Sequence, residues 1–334
     1  MMKRILLTLM ALAALTAAHA QNPFGGMMNR PIAEGKPTEQ SARIFRQERA
    51  PDAAPGVMYL KDVKYTSPDG TDLYLQLLIP MTSMADRAPK PCVVYIPGSA
   101  WFKQNTYGSV LRMAEFAKRG FVVAIAEYRH SGIAPFPAQL VDMKNAIRFL
   151  RRDGVRMGID PDNIFVWGDS SGGHLSLLVG VTENLEDATL DKPDFPDVPC
   201  TVNAVVAYYP PTDLTAIKDV PDAISKGEAT SPEGMLLGGK LAIADNAEAA
   251  RRASPDFYVK KEVSIPPIFL AAGTMDHVVP FAQTDLMANV LAHAGKRFEY
   301  YVLPGADHGS WEFWTPAMFD KVEAFLRANL RKAQ

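Results

Sequence analysis

Asn163-Ile164-Phe165-Val166-Trp167-Gly168-Asp169-Ser170-Ser171-Gly172 begins as an apolar run and ends in a turn of small residues, and His174-Leu175-Ser176-Leu177-Leu178-Val179 follows with the character of a helix start. Strand, tight turn and helix are the setting in which a G-x-S-x-G pattern carries chemistry. The turn lifts the serine hydroxyl clear of a sheet, and its neighbours must be small for the backbone to pass. The helix then points its free N–H groups and the positive end of its dipole at the same spot, where charge on a substrate oxygen would gather. Ser170 is the candidate nucleophile, and the N–H of Ser171, the next residue, is one candidate oxyanion donor.

A serine hydroxyl attacks only with a base in hydrogen-bond reach and a carboxylate that holds the base in the right tautomer. Of the six histidines, His308 is the expected base. It follows an apolar run in Leu303-Pro304-Gly305-Ala306-Asp307-His308-Gly309, a flexible turn at a strand's C-terminal end. His174 lies one turn into the nucleophile's own helix and reads as a packing or hydrogen-bonding residue. Asp276, in Gly273-Thr274-Met275-Asp276, closes another strand and completes the chain order serine, acid, histidine. Asp213 is the alternative acid, Asp307 reads as a solvated turn residue, and His277 as a contact to a lid. The second oxyanion donor is expected from Pro97-Gly98-Ser99-Ala100-Trp101, after the run Cys92 to Ile96. Pro97 has no N–H, which leaves Ser99 and Ala100.

The expected fold is α/β. Val57 to Tyr65 and Thr71 to Ile79 alternate around the turn signal Ser67-Pro68-Asp69-Gly70, which predicts a hairpin and an antiparallel start. Six short apolar runs follow: Cys92 to Ile96, Phe121 to Ala126, Ile164 to Trp167, Ala204 to Tyr208, Ile268 to Ala272 and Phe298 to Val302. Such unbroken runs fit strands covered on both faces, as in a parallel sheet flanked by helices. Leu140, Met143, Ile147 and Leu150 make one helical face, stopped by Gly154. Leu286, Met287, Val290, Leu291 and Ala294 make another, opened by Pro280 and closed by Gly295. Thr315 caps a third helix with Pro316 at its first position. One domain over 57–332 is expected, and the long connection 212–266, with a helix from Ala244 to Ala253, reads as a lid or substrate-shaping insertion after the sixth strand.

The ends of the chain have a different composition. Met1-Met2-Lys3-Arg4 is a basic start, Ile5 to Ala18 is apolar but too short to span a bilayer, and Ala18-His19-Ala20 is a small-x-small cleavage pattern. Residues 1–20 are therefore expected to be a signal peptide, placing the protein outside the cell or in a periplasm, with no membrane attachment once it is removed. Residues 21–56, with prolines at 23, 31, 37, 51 and 55 and no apolar period, read as a leader or linker. A formal charge of −2 sets up no field for nucleic acid or anionic lipid. Two cysteines, Cys92 and Cys200, are too few for a disulfide framework and read as buried thiols, with a single bridge between them as the alternative in an oxidising compartment. The sequence carries no signal for oligomeric state.

From about Asp62 to Leu330 the chain resembles the α/β-hydrolase superfamily, in the secreted carbohydrate-esterase branch of the BD-FAE type that includes feruloyl and acetyl xylan esterases. The resemblance rests on several collinear motifs: Tyr95-Ile96-Pro97-Gly98-Ser99-Ala100-Trp101, Tyr128-Arg129 with Ala134-Pro135-Phe136-Pro137-Ala138, Gly168 to His174, Tyr209-Pro210-Pro211-Thr212-Asp213-Leu214, Gly273 to Pro280, and Pro304 to Gly309. It implies an eight-stranded, mostly parallel sheet with helices on both faces. It puts nucleophile, acid and base on Ser170, Asp276 and His308, and it implies hydrolysis of acetyl or feruloyl esters of plant-type saccharides with no metal or organic cofactor. Trp101, Tyr128 and Trp311 are expected substrate contacts by their aromatic character near the strand ends. Relatives commonly carry His-Gly-Gly-Gly-Trp where this chain has Pro97-Gly98-Ser99-Ala100-Trp101, so a positive φ at Ser99 or Ala100 would strain a residue with a Cβ. A general short-chain carboxylesterase, a serine peptidase of the same fold and a catalytically silent binding protein are the alternatives.

Overall fold

The computed structural model describes residues 56–81, 88–216 and 227–331. The expected signal peptide, nearly all of the leader and the stretch 217–226 of the insertion lie outside the described residues. The sheet is built from β1 (Gly56–Thr66), β2 (Leu73–Met81), β3 (Lys90–Ile96), β4 (Val122–Ala126), β5 (Ile159–Asp169), β6 (Val205–Tyr208), β7 (Ile268–Gly273) and β8 (Phe298–Leu303). Their order is β1-β2-β4-β3-β5-β6-β7-β8. β1 and β2 pair antiparallel, β2 meets β4 antiparallel, and every later pairing is parallel. The hairpin turn places Asp69 and Gly70 at φ 50° and 79°, the left-handed pair that matches strand twist.

Among the described residues the α-helices are α1 (Val110–Ala117), α2 (Ala138–Asp153), α3 (Ser171–Thr182), α4 (Pro232–Leu236), α5 (Ala247–Arg252), α6 (Phe281–His293) and α7 (Pro316–Ala328). The strand residues alternate between two cores. Cys92, Val94, Ile96, Ile164 and Val166 pack with α2, α3 and α6 through Leu140, Met143, Leu175, Met287 and Leu291. Val93, Tyr95, Phe165 and Trp167 pack on the opposite face with Phe116 of α1 and Phe319, Val322 and Phe325 of α7. Both faces being covered is why β4 and β7 are buried at every position and read as continuous apolar runs. α3 is buried all round, as befits the helix that starts at the centre of the sheet's C-terminal edge.

Local chemistry sets the element ends. Thr315 Oγ1 accepts the N–H of Met318 at 3.2 Å, with Pro316 at the first helical position. α2 stops at Asp153, but Gly154 is not where the chain turns away. It stays right-handed and begins a short tight helix, and the left-handed residue is Gly158 at φ 77°. The helix expected from Ala244 to Ala253 is divided into a turn at Ile243–Asp245 and α5, with Asn246 between them at φ −133°. Cys92 and Cys200 are buried free thiols. Among the described residues, no helix is long and apolar enough to cross a membrane.

One half-buried carboxyl gives stability a pH dependence. Glu183, just past α3, accepts the N–H of Val202 at 2.9 Å, and burial pushes its pKa from 4.5 up to about 7 against the opposing pull of Arg151, Arg331 and Lys144. Between those two values the native state holds a proton that the unfolded chain has released. Stability therefore falls as pH rises through that window and stays lower above it. Glu183→Gln keeps an oxygen for Val202 and removes the titration. In thermal unfolding across pH 4.5 to 8 we expect the variant to match the parent in acid and to melt a few degrees higher at pH 8, about 2 kcal/mol more stable; parallel curves would refute the assignment.

Candidate active site

β5 runs into α3 through a turn in which Ser170 sits at φ 53° and ψ −125°. A side chain in that region is strained by about 1–3 kcal/mol, and the surrounding contacts hold it there. Ser170 N–H donates to Tyr208 O at 2.9 Å, and His174 N–H to Ser170 O at 2.9 Å. The glycines are steric requirements. A Cβ on Gly168 would lie 2.2 Å from Gly172 O, and one on Gly172 1.9 Å from Ile96 O. The elbow is wedged between β3 and β6, and only hydrogen fits.

Two loops at the C-terminal ends of β7 and β8 bring the partners. His308 Nε2 lies 2.9 Å from Ser170 Oγ, and His308 Nδ1 lies 2.8 Å from Asp276 Oδ2. The Asp276 side chain is 1% exposed, and its other oxygen accepts the N–H groups of Val278 and Val279 at 2.9 and 2.8 Å. With the carboxylate so satisfied, the proton of the imidazole belongs on Nδ1, leaving the Nε2 lone pair for the serine hydroxyl. The Tyr209 ring packs 4.6 Å from the imidazole, edge to face. Asp213 is elsewhere: one of its oxygens accepts Thr215 N–H and Oγ1–H at 2.9 and 2.6 Å, and the other lies 3.7 Å from Arg251. His277 Nδ1 lies 2.5 Å from Asp307 Oδ1, on the loop that carries His308.

The turn after β3 revises the expected donors. Ser99 N–H is already engaged, donating to Ser171 Oγ at 2.9 Å. Its hydroxyl donates to Phe102 O at 2.7 Å and lies 3.0 Å from the Tyr128 hydroxyl. Ser99 is thus part of the scaffold. Ala100 and Ser171 both line the cavity at Ser170, and Ser171 N–H, at the first turn of α3, has no carbonyl ahead of it within the helix. The strain expected from the missing glycines falls on Ala100 and Trp101, at φ 52° and 58°. Several bonds hold the turn: Ser131 gives its N–H and hydroxyl to Trp101 O at 2.9 and 3.0 Å. Trp101 Nε1–H donates to His174 Nδ1 at 3.1 Å, and His174 Nε2–H to Ala253 O at 2.7 Å. Burial lowers the pKa of His174 to about 4, so the ring is neutral and its acceptor nitrogen persists near neutral pH. The sequence did not single out Asp169. Its Oδ1 accepts Tyr95 O–H at 2.6 Å and Gly98 N–H at 3.0 Å, which fastens the turn to the elbow.

The cavity at Ser170 is about 230 Å³, walled by Trp101, Pro211, Val278 and Val279 and by Glu228, Thr230, Ser231, Pro232 and Glu233 of the insertion. Of the three expected substrate aromatics only Trp101 lines it. Tyr128 is buried behind the Ser99 turn, and Trp311 is 73% exposed in a short helical turn and does not line the cavity. A larger groove of about 690 Å³ runs along α6 past Asp285 and His293, and none of Ser170, Asp276 and His308 lines it.

A model of the BD-FAE family matches residues 75–291. Esterase LipQ of Mycobacterium tuberculosis is 32% identical over 225 residues, covering 65% of this chain and 50% of LipQ. The chain spans about half the length of the curated relatives it matches. Among solved structures, a truncated carbohydrate esterase from gut microbiota superposes with TM-score 0.74 at 28% identity, over 85% of this chain and 100% of its own. A bifunctional GH43-CE protein of Bacteroides eggerthii gives 0.71 at 29% identity, over 82% of this chain and 38% of its own.

Proposed function

The chain belongs to the BD-FAE family of α/β-hydrolase esterases, and from that premise we propose that it is a serine carboxylic-ester hydrolase acting through Ser170, His308 and Asp276. The observation that carries the assignment is the continuous relay from Ser170 Oγ to His308 Nε2 and from His308 Nδ1 to Asp276, whose serine end lines the cavity. Ser170 Oγ adds to the ester carbonyl carbon while its proton passes to Nε2, and Asp276 stabilises the imidazolium. The N–H groups of Ala100 and Ser171 receive the oxyanion, with Ser99 and His174 holding the turn that aims the first of them. Collapse breaks the bond to the alcohol oxygen, which leaves with the proton from His308. Water then attacks the acyl-enzyme carbonyl, giving its proton to His308, and Ser170 takes a proton back as the acid departs.

For the substrate we propose acetyl or feruloyl esters of poly- or oligosaccharides, supported by the two carbohydrate-esterase structures and by a cavity of modest size. The segment 212–266 shapes that cavity through Glu228 to Glu233. Secretion, which the basic start and apolar run of residues 1–20 support, is part of the same proposal. The test is a panel of p-nitrophenyl acetate, acetylated xylan, methyl ferulate and a peptide anilide with purified protein. Release of acetate or ferulate is expected. Turnover of p-nitrophenyl acetate alone would reduce the assignment to a short-chain carboxylesterase, anilide cleavage would make it a peptidase, and no turnover at all would contradict catalysis.

A further inference from the structure

Beside the acid–base contact stands a second histidine–aspartate pair, one residue along in each loop. His277 follows Asp276 and Asp307 precedes His308, so the two loops cross with paired rungs. Asp307 accepts from His277 Nδ1 at 2.5 and 2.7 Å through its two oxygens. Oδ1 also accepts the N–H of His277 at 3.1 Å and the N–H of His308 at 2.6 Å. Those donors, the backbone of His308 first, hold the Asp307 carboxyl below the usual carboxylate range, which keeps it an acceptor.

The stems of the loops are joined by two backbone bonds, Thr274 N–H to Leu303 O at 3.2 Å and Met275 N–H to Ala306 O at 3.0 Å, and by Gly305 N–H donating to the side chain of Thr274 at Oγ1, 2.9 Å. Beyond Met275 and Ala306, the hydrogen bonds between the two tips among the described residues are the Asp276–His308 contact and those of the second pair. The second pair is exposed, 63% for His277 and 46% for Asp307, and such pairs add little to global stability. Its place next to the relay gives it another effect. Without it, one exposed turn of chain on each side is free to drift, and the hydrogen bond that orients His308 must hold the tips together alone.

We propose that His277 and Asp307 are positioning residues: their bond fastens the loop of Asp276 to the loop of His308 and keeps the imidazole aligned on Ser170. The inference rests on the hydrolase proposed above. Because geometry near the reacting atoms is what suffers, His277→Ala and Asp307→Ala should each lower kcat on p-nitrophenyl acetate by roughly tenfold and leave KM within about twofold. The double variant should be no worse than Asp307→Ala, since both act through one bond. His277→Asn, whose amide can take the place of Nδ1–H, should recover most of the lost kcat, a rescue that a role in folding alone would not give. Melting curves check that all variants stay folded, and if Asp307→Ala does not, the His277 pair decides. Wild-type kcat in His277→Ala, losses that multiply in the double variant, or an Asn variant as slow as Ala would each overturn it. A Ser170→Ala arm separates the two levels: activity there defeats the hydrolase assignment, whereas an inactive Ser170→Ala beside an unaffected His277→Ala defeats only the positioning role.

Discussion

Gly172→Ala is expected to yield no stably folded protein. The added methyl would lie 1.9 Å from Ile96 O and 2.7 Å from Ile96 C, and neither atom can give way. Ile96 ends β3 in the middle of the sheet and is in register with Gly168 of β5. The methyl would have to push α3 off the strand ends or pull β3 out of its ladder, so a cost above about 4 kcal/mol is expected, a large part of what holds a domain together. A glycine of another kind supplies the control. Gly295 sits at φ 64° with open space around its Cβ position, and Gly295→Ala should cost only about 1 kcal/mol of left-handed strain. Urea unfolding of both variants, with soluble yield as a second readout, measures the difference. Equal midpoints would mean that the elbow does not press on β3.

That contrast bears on what could be read from the chain. The inner strands were legible because both faces are covered: β4 and β7 are buried at every residue, and a strand with no solvent side has no alternation to disguise it. Ser170 was legible for a related reason, since the steric demands of the elbow leave glycine at 168 and 172. Other features depend on partners distant in sequence. Nothing local to Ser99 reveals that its N–H is taken, because the acceptor is the side chain of Ser171, 72 positions later. By residue type Gly154 reads as the end of a helix, but the backbone winds on to Gly158. Aromatic character is all that marks Tyr128 and Trp311 in the sequence, and it does not distinguish a ring behind a turn from one in solvent. The pairing of His277 with Asp307 follows from loop crossing, which adjacency in sequence does not show.

Ser170→Ala is expected to lower turnover of p-nitrophenyl acetate by about 10⁴-fold or more, since the relay without its hydroxyl has nothing to activate. Stability should hold or rise slightly, because alanine needs the same strained φ of 53° but leaves no hydroxyl to orient. The covalent step itself can be trapped. A p-nitrophenyl alkylphosphonate places an electrophilic phosphorus where the ester carbonyl would lie, and attack by the serine oxygen displaces p-nitrophenolate and leaves a stable phosphonyl ester on the protein. The decisive measurement is the mass of the labelled chain and of its peptides, taken alongside residual activity. One phosphonyl group per chain, on the peptide containing Ser170, with activity lost in proportion and no labelling of Ser170→Ala, is the expected result; an adduct on another residue, or full inactivation with Ser170 unmodified, would contradict the relay.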